Sequence, residues 1–148
     1  MSDTFKRVLD YWKTNNVSLV SPLDAATVRE KFNQAKLAVA EDFIEFHSIV
    51  GGMNFSGEDP NTWSCWNIDR ILEENQSYSR PGVMFADWCI NSLFHVVRCE
   101  SEKISSVWVD DFSDEKPFKV ADSLTERRRF DLDAGPEFDA DLHLQQVG

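Results

Sequence analysis

The sequence predicts an α+β fold: one domain with a mostly antiparallel central sheet flanked by helices. Three observations point there. Apolar residues recur at helical spacing through the first half of the chain, the second half is a run of short β-branched and aromatic segments, and the strand–helix alternation of a βαβ fold is absent. The length, 148 residues, suits a single domain. Hydrophobic residues make up 42% of the chain, with eleven Phe and five Trp, enough to build a core without a metal or a disulfide.

Phe5, Val8, Leu9 and Trp12 define a first helix, with Asp3 or Thr4 available as N-cap and Asn15–Asn16 at its end. Ser21–Pro22 reads as the start of a second, because Ser caps and Pro fits a first turn whose N–H groups are unpaired anyway. Leu23, Ala26, Val28, Phe32 and Ala35 belong to that helix. A third spans Glu41 to Ile49, with Phe43, Phe46, Ile49 and Val50 on one stripe, two carboxylates at its positive N-terminal end and Gly51–Gly52 as its stop.

Residues 54–62 read as a loop, Trp63–Trp66 as a short aromatic strand, and Asn67 as the cap of a short helix with Ile68, Ile71 and Leu72 inward. After a turn at Tyr78–Gly82, Val83–Trp88, Ser92–Cys99, Ser106–Val109 and Phe118–Ala121 are strand candidates. Ser123-Leu124-Thr125-Glu126 matches a capping box and predicts a last helix. The domain is expected over residues 1–130, followed by an acidic tail over 131–148 that docks loosely.

The formal net charge is −11, from 26 acidic and 15 basic side chains. That balance disfavours nucleic acid and anionic membranes and suits a basic protein partner, although an acidic surface also serves solubility alone. Cys65, Cys89 and Cys99 are odd in number and lack a CxxC pair, so neither a disulfide framework nor a zinc site is expected. The N-terminus shows no secretory pattern and no apolar run approaches the ~20 residues of a membrane span, so a cytoplasmic protein with reduced thiols is expected.

Chemistry-bearing patterns are few. His47, His95 and His143 have no metal-ligand spacing, and Gly51–Gly52 lacks the pattern of a phosphate loop; no metal and no cofactor are expected. Cys89 or Cys99 with His95 is a conceivable dyad that lacks an orienting group and an oxyanion hole. Arg127–Arg129 is a basic run suited to pairing with nearby acids or, as the lesser alternative, to reading an anion. Asp110, Asp111, Asp114 and Glu115 put four acids between two strand candidates, either a solvated loop or a docking surface. Trp63 and Trp66 read as core residues, and as partner-binding anchors if one is exposed beside that loop.

Over residues 22–126 the layout resembles the SUKH superfamily of SMI/KNR-type domains. The resemblance rests on the helix ending in Phe32, on Glu41-Asp42-Phe43-Ile44-Glu45-Phe46 closing with Gly51–Gly52, and on Asn67 to Asn75. It also rests on Val83-Met84-Phe85-Ala86-Asp87, like the family's Phe-Ala-Asp strand, and on Val120-Ala121-Asp122-Ser123-Leu124. Departures are Val39–Ala40 for Leu-Pro, Val50–Gly51 for Asn-Gly, Trp88-Cys89-Ile90-Asn91 for a Gly-rich turn and Arg127–Arg129 for aromatics.

The resemblance implies a compact α+β domain without catalytic residues. It further implies an immunity protein that binds and neutralises one toxin domain, such as a nuclease, of a contact-dependent or polymorphic toxin system. The expected partner-binding residues are Asp110, Asp111, Asp114, Glu115, Trp63 and Trp66. The alternatives are a regulatory scaffold for endogenous proteins, as in fungal members, and a small enzyme built on Cys89, His95 and an acid.

Overall fold

The computed structural model describes residues 2–54, 57–89, 92–113 and 116–125. Helices α1 (Ser2–Thr14), α2 (Ala25–Gln34) and α3 (Glu41–Ile49) precede strand β1 (Trp63–Cys65) and helix α4 (Ile68–Glu74). Strands β2 (Val83–Trp88), β3 (Leu93–Cys99), β4 (Ser105–Asp110) and β5 (Phe118–Ala121) follow. The five strands form one antiparallel meander in the order β1-β2-β3-β4-β5, so the fold is α+β as the sequence predicts.

The helices start and stop where local chemistry directs. Asn67 caps α4, its side chain accepting from the Arg70 N–H at 3.0 Å. α3 ends ahead of Gly51 and Gly52, with φ of 74° and 103°, a region open to glycine at little cost. Asp42, in its first turn, is buried, and its carboxylate accepts from the Ser105 N–H at 2.8 Å and the Ser105 hydroxyl at 2.6 Å. These bonds tie the N-terminus of α3 to β4.

The second helix departs from expectation. It begins at Ala25, and its cap is Asp24, whose side chain accepts from the Thr27 N–H at 2.8 Å, rather than Ser21. The cause is tertiary. The Val20 N–H bonds the Gly52 carbonyl at 3.0 Å and Leu19 bridges Met53, which holds the chain extended against the glycine pair. A Cβ on Gly51 would meet the Val20 carbonyl oxygen at 2.9 Å. Leu23, expected inside that helix, is exposed.

Cross-strand partners share a face of a sheet. His95 and Val97 therefore lie with Val109 and Val107 on one face, while Phe94, Val96 and Arg98 lie with Asp110, Trp108 and Ser106 on the other. The first face meets α3: Phe85 packs edge-on against Phe43 at 5.5 Å and Phe46 at 6.4 Å, and Phe46 against Phe5 of α1 at 5.2 Å. Phe85 reaches that core at a bulge between Met84 and Ala86. Trp12 of α1 donates its indole N–H to buried Asp59 at 3.0 Å, and the Asp59 carboxylate also accepts from the Trp63 and Asn61 N–H groups.

On the second face, α4 and the turn after it supply cations. Arg70 pairs with Asp87 at 3.6 Å, and Arg80 with Asp110 at 2.7 Å. The expected last helix at Ser123-Leu124-Thr125-Glu126 and the tail lie largely or wholly outside the described residues; Leu124 itself is fully buried. Among the described residues no helix is long and apolar enough to cross a membrane.

Candidate functional site

The end of β4 and the residues that follow it to Ser113 carry the candidate site. Asp110, expected in a loop, is instead the last residue of β4, opposite Phe94, and only 1% exposed. Its carboxylate accepts from the Arg80 guanidinium at 2.7 Å, the Tyr78 hydroxyl at 2.9 Å and the Phe112 N–H at 2.8 Å. Arg80 reaches on with its second nitrogen to the Ser113 carbonyl at 2.8 Å. Burial and the neighbouring Asp110 carboxylate push the Tyr78 phenol well above its ordinary range, so it stays protonated and donates.

This lock holds Phe112 in an unusual state. Its φ is +60°, a left-handed conformation that a non-glycine residue adopts at a cost on the order of 1–3 kcal/mol. Its ring is 50% exposed, the most open of the large hydrophobic side chains among the described residues. It stands edge-on to Phe94 at 4.9 Å and to Tyr78 at 5.9 Å, with Arg80 6.0 Å from its centre. Phe94 in turn meets Trp66 at 6.0 Å. A continuous line of edge-packed rings thus runs from the buried indole of Trp66 out to Phe112.

The six expected partner-binding residues fall into three groups. Asp111 is exposed beside Phe112, its carboxylate accepting from the Ser113 N–H at 2.9 Å. Asp110, Trp63 and Trp66 are buried. Trp63 is a core side chain, 5% exposed, against Trp12, Phe85 and His95. Trp66, 1% exposed, donates to Asp87 at 2.7 Å and carries the Arg70 guanidinium 4.5 Å over its ring. The reading of Trp63 and Trp66 as core therefore holds, and the reading of Asp110 as a surface acid gives way to an internal counter-ion. Asp114 and Glu115 lie outside the described residues.

Phe112 went unnoticed in the sequence because the acids around it drew the reading towards charge. The signal was present: a single large aromatic inside Asp110-Asp111-Phe112-Ser113 has no alternating neighbours to carry it into a sheet.

The two sequence candidates for a thiol–imidazole pair sit in different settings. His95 is buried, edge-on to Trp63 at 5.0 Å and Phe85 at 6.4 Å, while Cys89 is exposed one residue beyond the end of β2. Burial pushes the Cys65 and Cys99 thiols up, away from the thiolate form a nucleophile needs. Among the described residues, no three His, Cys, Asp or Glu side chains are grouped as they would be to hold a metal ion.

His47 is the other notable group. It is fully buried among Phe32, Phe43 and Phe46, and burial lowers its pKa to about 3. The nearby Gly51 carbonyl favours the protonated ring slightly, but neither ring nitrogen has a partner in hydrogen-bond geometry among the described residues.

No family model matches the chain, and no curated protein and no solved structure matches it.

Proposed function

We propose that the chain is an immunity protein: a cytoplasmic, non-enzymatic domain that binds one basic toxin domain, such as a nuclease, and silences it. Phe112 is the observation that carries this reading. A half-exposed aromatic, held at a strained backbone angle by an ion pair whose carboxylate is buried, matches the character of an interface anchor. Such a side chain is already ordered before contact, so little entropy is lost when a partner covers it.

Charge supplies the second part. A net charge of −11 attracts a basic partner and disfavours acidic ones, and Asp111 is exposed beside the anchor. The toxin is inhibited because its active site, or a surface beside it, is covered by the docked domain. The resemblance of residues 22–126 to SUKH domains points the same way.

Mixing the purified chain with the product of the adjacent reading frame tests this. A stoichiometric complex that abolishes a toxic activity is the expected result. Absence of that complex, with several host proteins captured instead, would overturn it in favour of a regulatory scaffold.

A further inference from the structure

The face of the sheet that carries Phe112 holds a second aromatic. Trp108 precedes Asp110 by two residues on β4, so both side chains leave the sheet on the face where the Phe112 ring packs against Phe94. The Trp108 side chain is partly exposed, and its indole N–H donates to the Ser106 hydroxyl at 2.8 Å. Over its ring lies Arg98 of the neighbouring strand β3, with the guanidinium carbon 3.9 Å from the ring centre. Arg98 Nε donates to the Pro81 carbonyl at 3.2 Å. The stack and that bond together fix the plane of the guanidinium.

The terminal nitrogens of Arg98 have no hydrogen-bonded or ionic protein partner among the described residues. Arg29, Arg70 and Arg80, by contrast, each face a carboxylate. Glu100 reaches this face too, but its carboxylate accepts from the Ser106 hydroxyl at 2.7 Å and faces Lys119 at 4.0 Å instead. So in a chain with 26 acidic and 15 basic side chains, a partly buried guanidinium is left without a counter-ion. A flat fork already held in place matches the two oxygens of a carboxylate. Free anions and nucleic acid are repelled by the net charge of −11, whereas a carboxylate carried on a net-positive protein is brought in by it.

We propose that Arg98, stacked on Trp108, receives an Asp or Glu side chain of the basic protein that covers Phe112, and so selects that partner among basic proteins. The partner's identity rests on the immunity reading. The fork adds discrimination more than attraction: a basic domain with no acid at this place covers the guanidinium and leaves it unpaired, which weakens binding.

The test measures binding of the product of the adjacent reading frame to the full chain, with urea unfolding of each variant alongside. Arg98→Gln is expected to weaken binding by about 10- to 100-fold with an unchanged unfolding midpoint. Bulk charge alone predicts the opposite sign, because removing a cation from an acidic chain strengthens its attraction to a basic partner. Arg98→Lys, which keeps the charge and loses the fork, should recover only part of the affinity. Lys13→Gln, the same charge change as Arg98→Gln at an exposed site on α1, should not weaken binding. Arg98→Glu should abolish the complex, and a lysine in place of one Asp or Glu of the partner should restore it. That swapped pair also decides the matter if Arg98→Gln shifts the midpoint, because a restored complex requires a folded chain. A wild-type complex that Arg98→Gln leaves unchanged or tightens, or a failure of every partner lysine to restore Arg98→Glu, would overturn the proposal and leave the immunity reading standing. No complex with the wild-type chain would overturn both.

Discussion

Arg80 and Asp110 meet at 2.7 Å across 30 residues of sequence, with the Asp110 side chain fully buried and the Arg80 side chain 30% exposed. The pair does not act alone. Asp110 also accepts from Tyr78 and from the Phe112 backbone, so one carboxylate fixes the turn after α4, the end of β4 and the exposed ring beyond it.

Removing that carboxylate should be felt in stability. Asp110→Ala leaves Arg80, Tyr78 and the Phe112 N–H without their common acceptor, and breaking a buried pair costs about 3–5 kcal/mol. Solvent reaches Arg80, so about 3 kcal/mol is expected in urea unfolding, together with loss of partner binding. Arg80→Ala should cost less, because water can replace part of what it gives. Equal, negligible costs for both would mean the pair does not organise the turn.

Asp111 should act on rate more than on lifetime. Asp111→Asn removes one exposed charge next to the anchor, which is expected to slow association a few-fold at low salt, with little change in dissociation. The difference should vanish near 0.5 M salt, where the screening length falls to roughly 4 Å. Stopped-flow mixing with the partner reads both rates, and a change confined to dissociation would contradict the steering role.

The pH dependence of stability should carry the signature of His47. Burial lowers its pKa from 6.5 to about 3, so between those values the unfolded chain binds a proton that the folded chain refuses. Stability is therefore lost as pH falls through that window, by on the order of 2–3 kcal/mol near pH 4.5. Asp59 works in the opposite sense: burial raises its carboxyl, so its share of stability is largest below the unfolded value of 3.8 and is lost as pH rises through the folded value. His47→Leu isolates the first effect. The stability of the wild type relative to this variant should shrink by about 2–3 kcal/mol between pH 7 and pH 4.5, and an unchanged difference would show that His47 is not held neutral.

Elements governed by their own residues were legible from the sequence. α3 and β5 have the bounds their periodicity and glycine punctuation suggest, and Asn67 caps α4 as its residue type implies. Ser21–Pro22 misled because a remote contact overrides local preference: the glycine pair after α3 holds residues 19–22 extended, and capping passes to Asp24. The site was half legible for a related reason. A run of acids announces charge, but whether Asp110 is a surface group or a counter-ion depends on Arg80, which no local pattern connects to it. Exposure of Phe112 and burial of Trp66 are likewise set by tertiary neighbours: Trp66 meets Asp87 and Arg70, whereas Phe112 lies beyond the end of β4.

The most direct test is the affinity of Phe112→Ala for the proposed toxin partner, measured with the unfolding free energy of the same variant. The anchor reading expects binding to weaken by about 2 kcal/mol or more, roughly 30-fold, while stability changes little, because a half-exposed ring contributes little to the core and Ala suffers the same backbone strain. Unchanged affinity in a stably folded Phe112→Ala protein would contradict the account and move the docking surface elsewhere on the molecule.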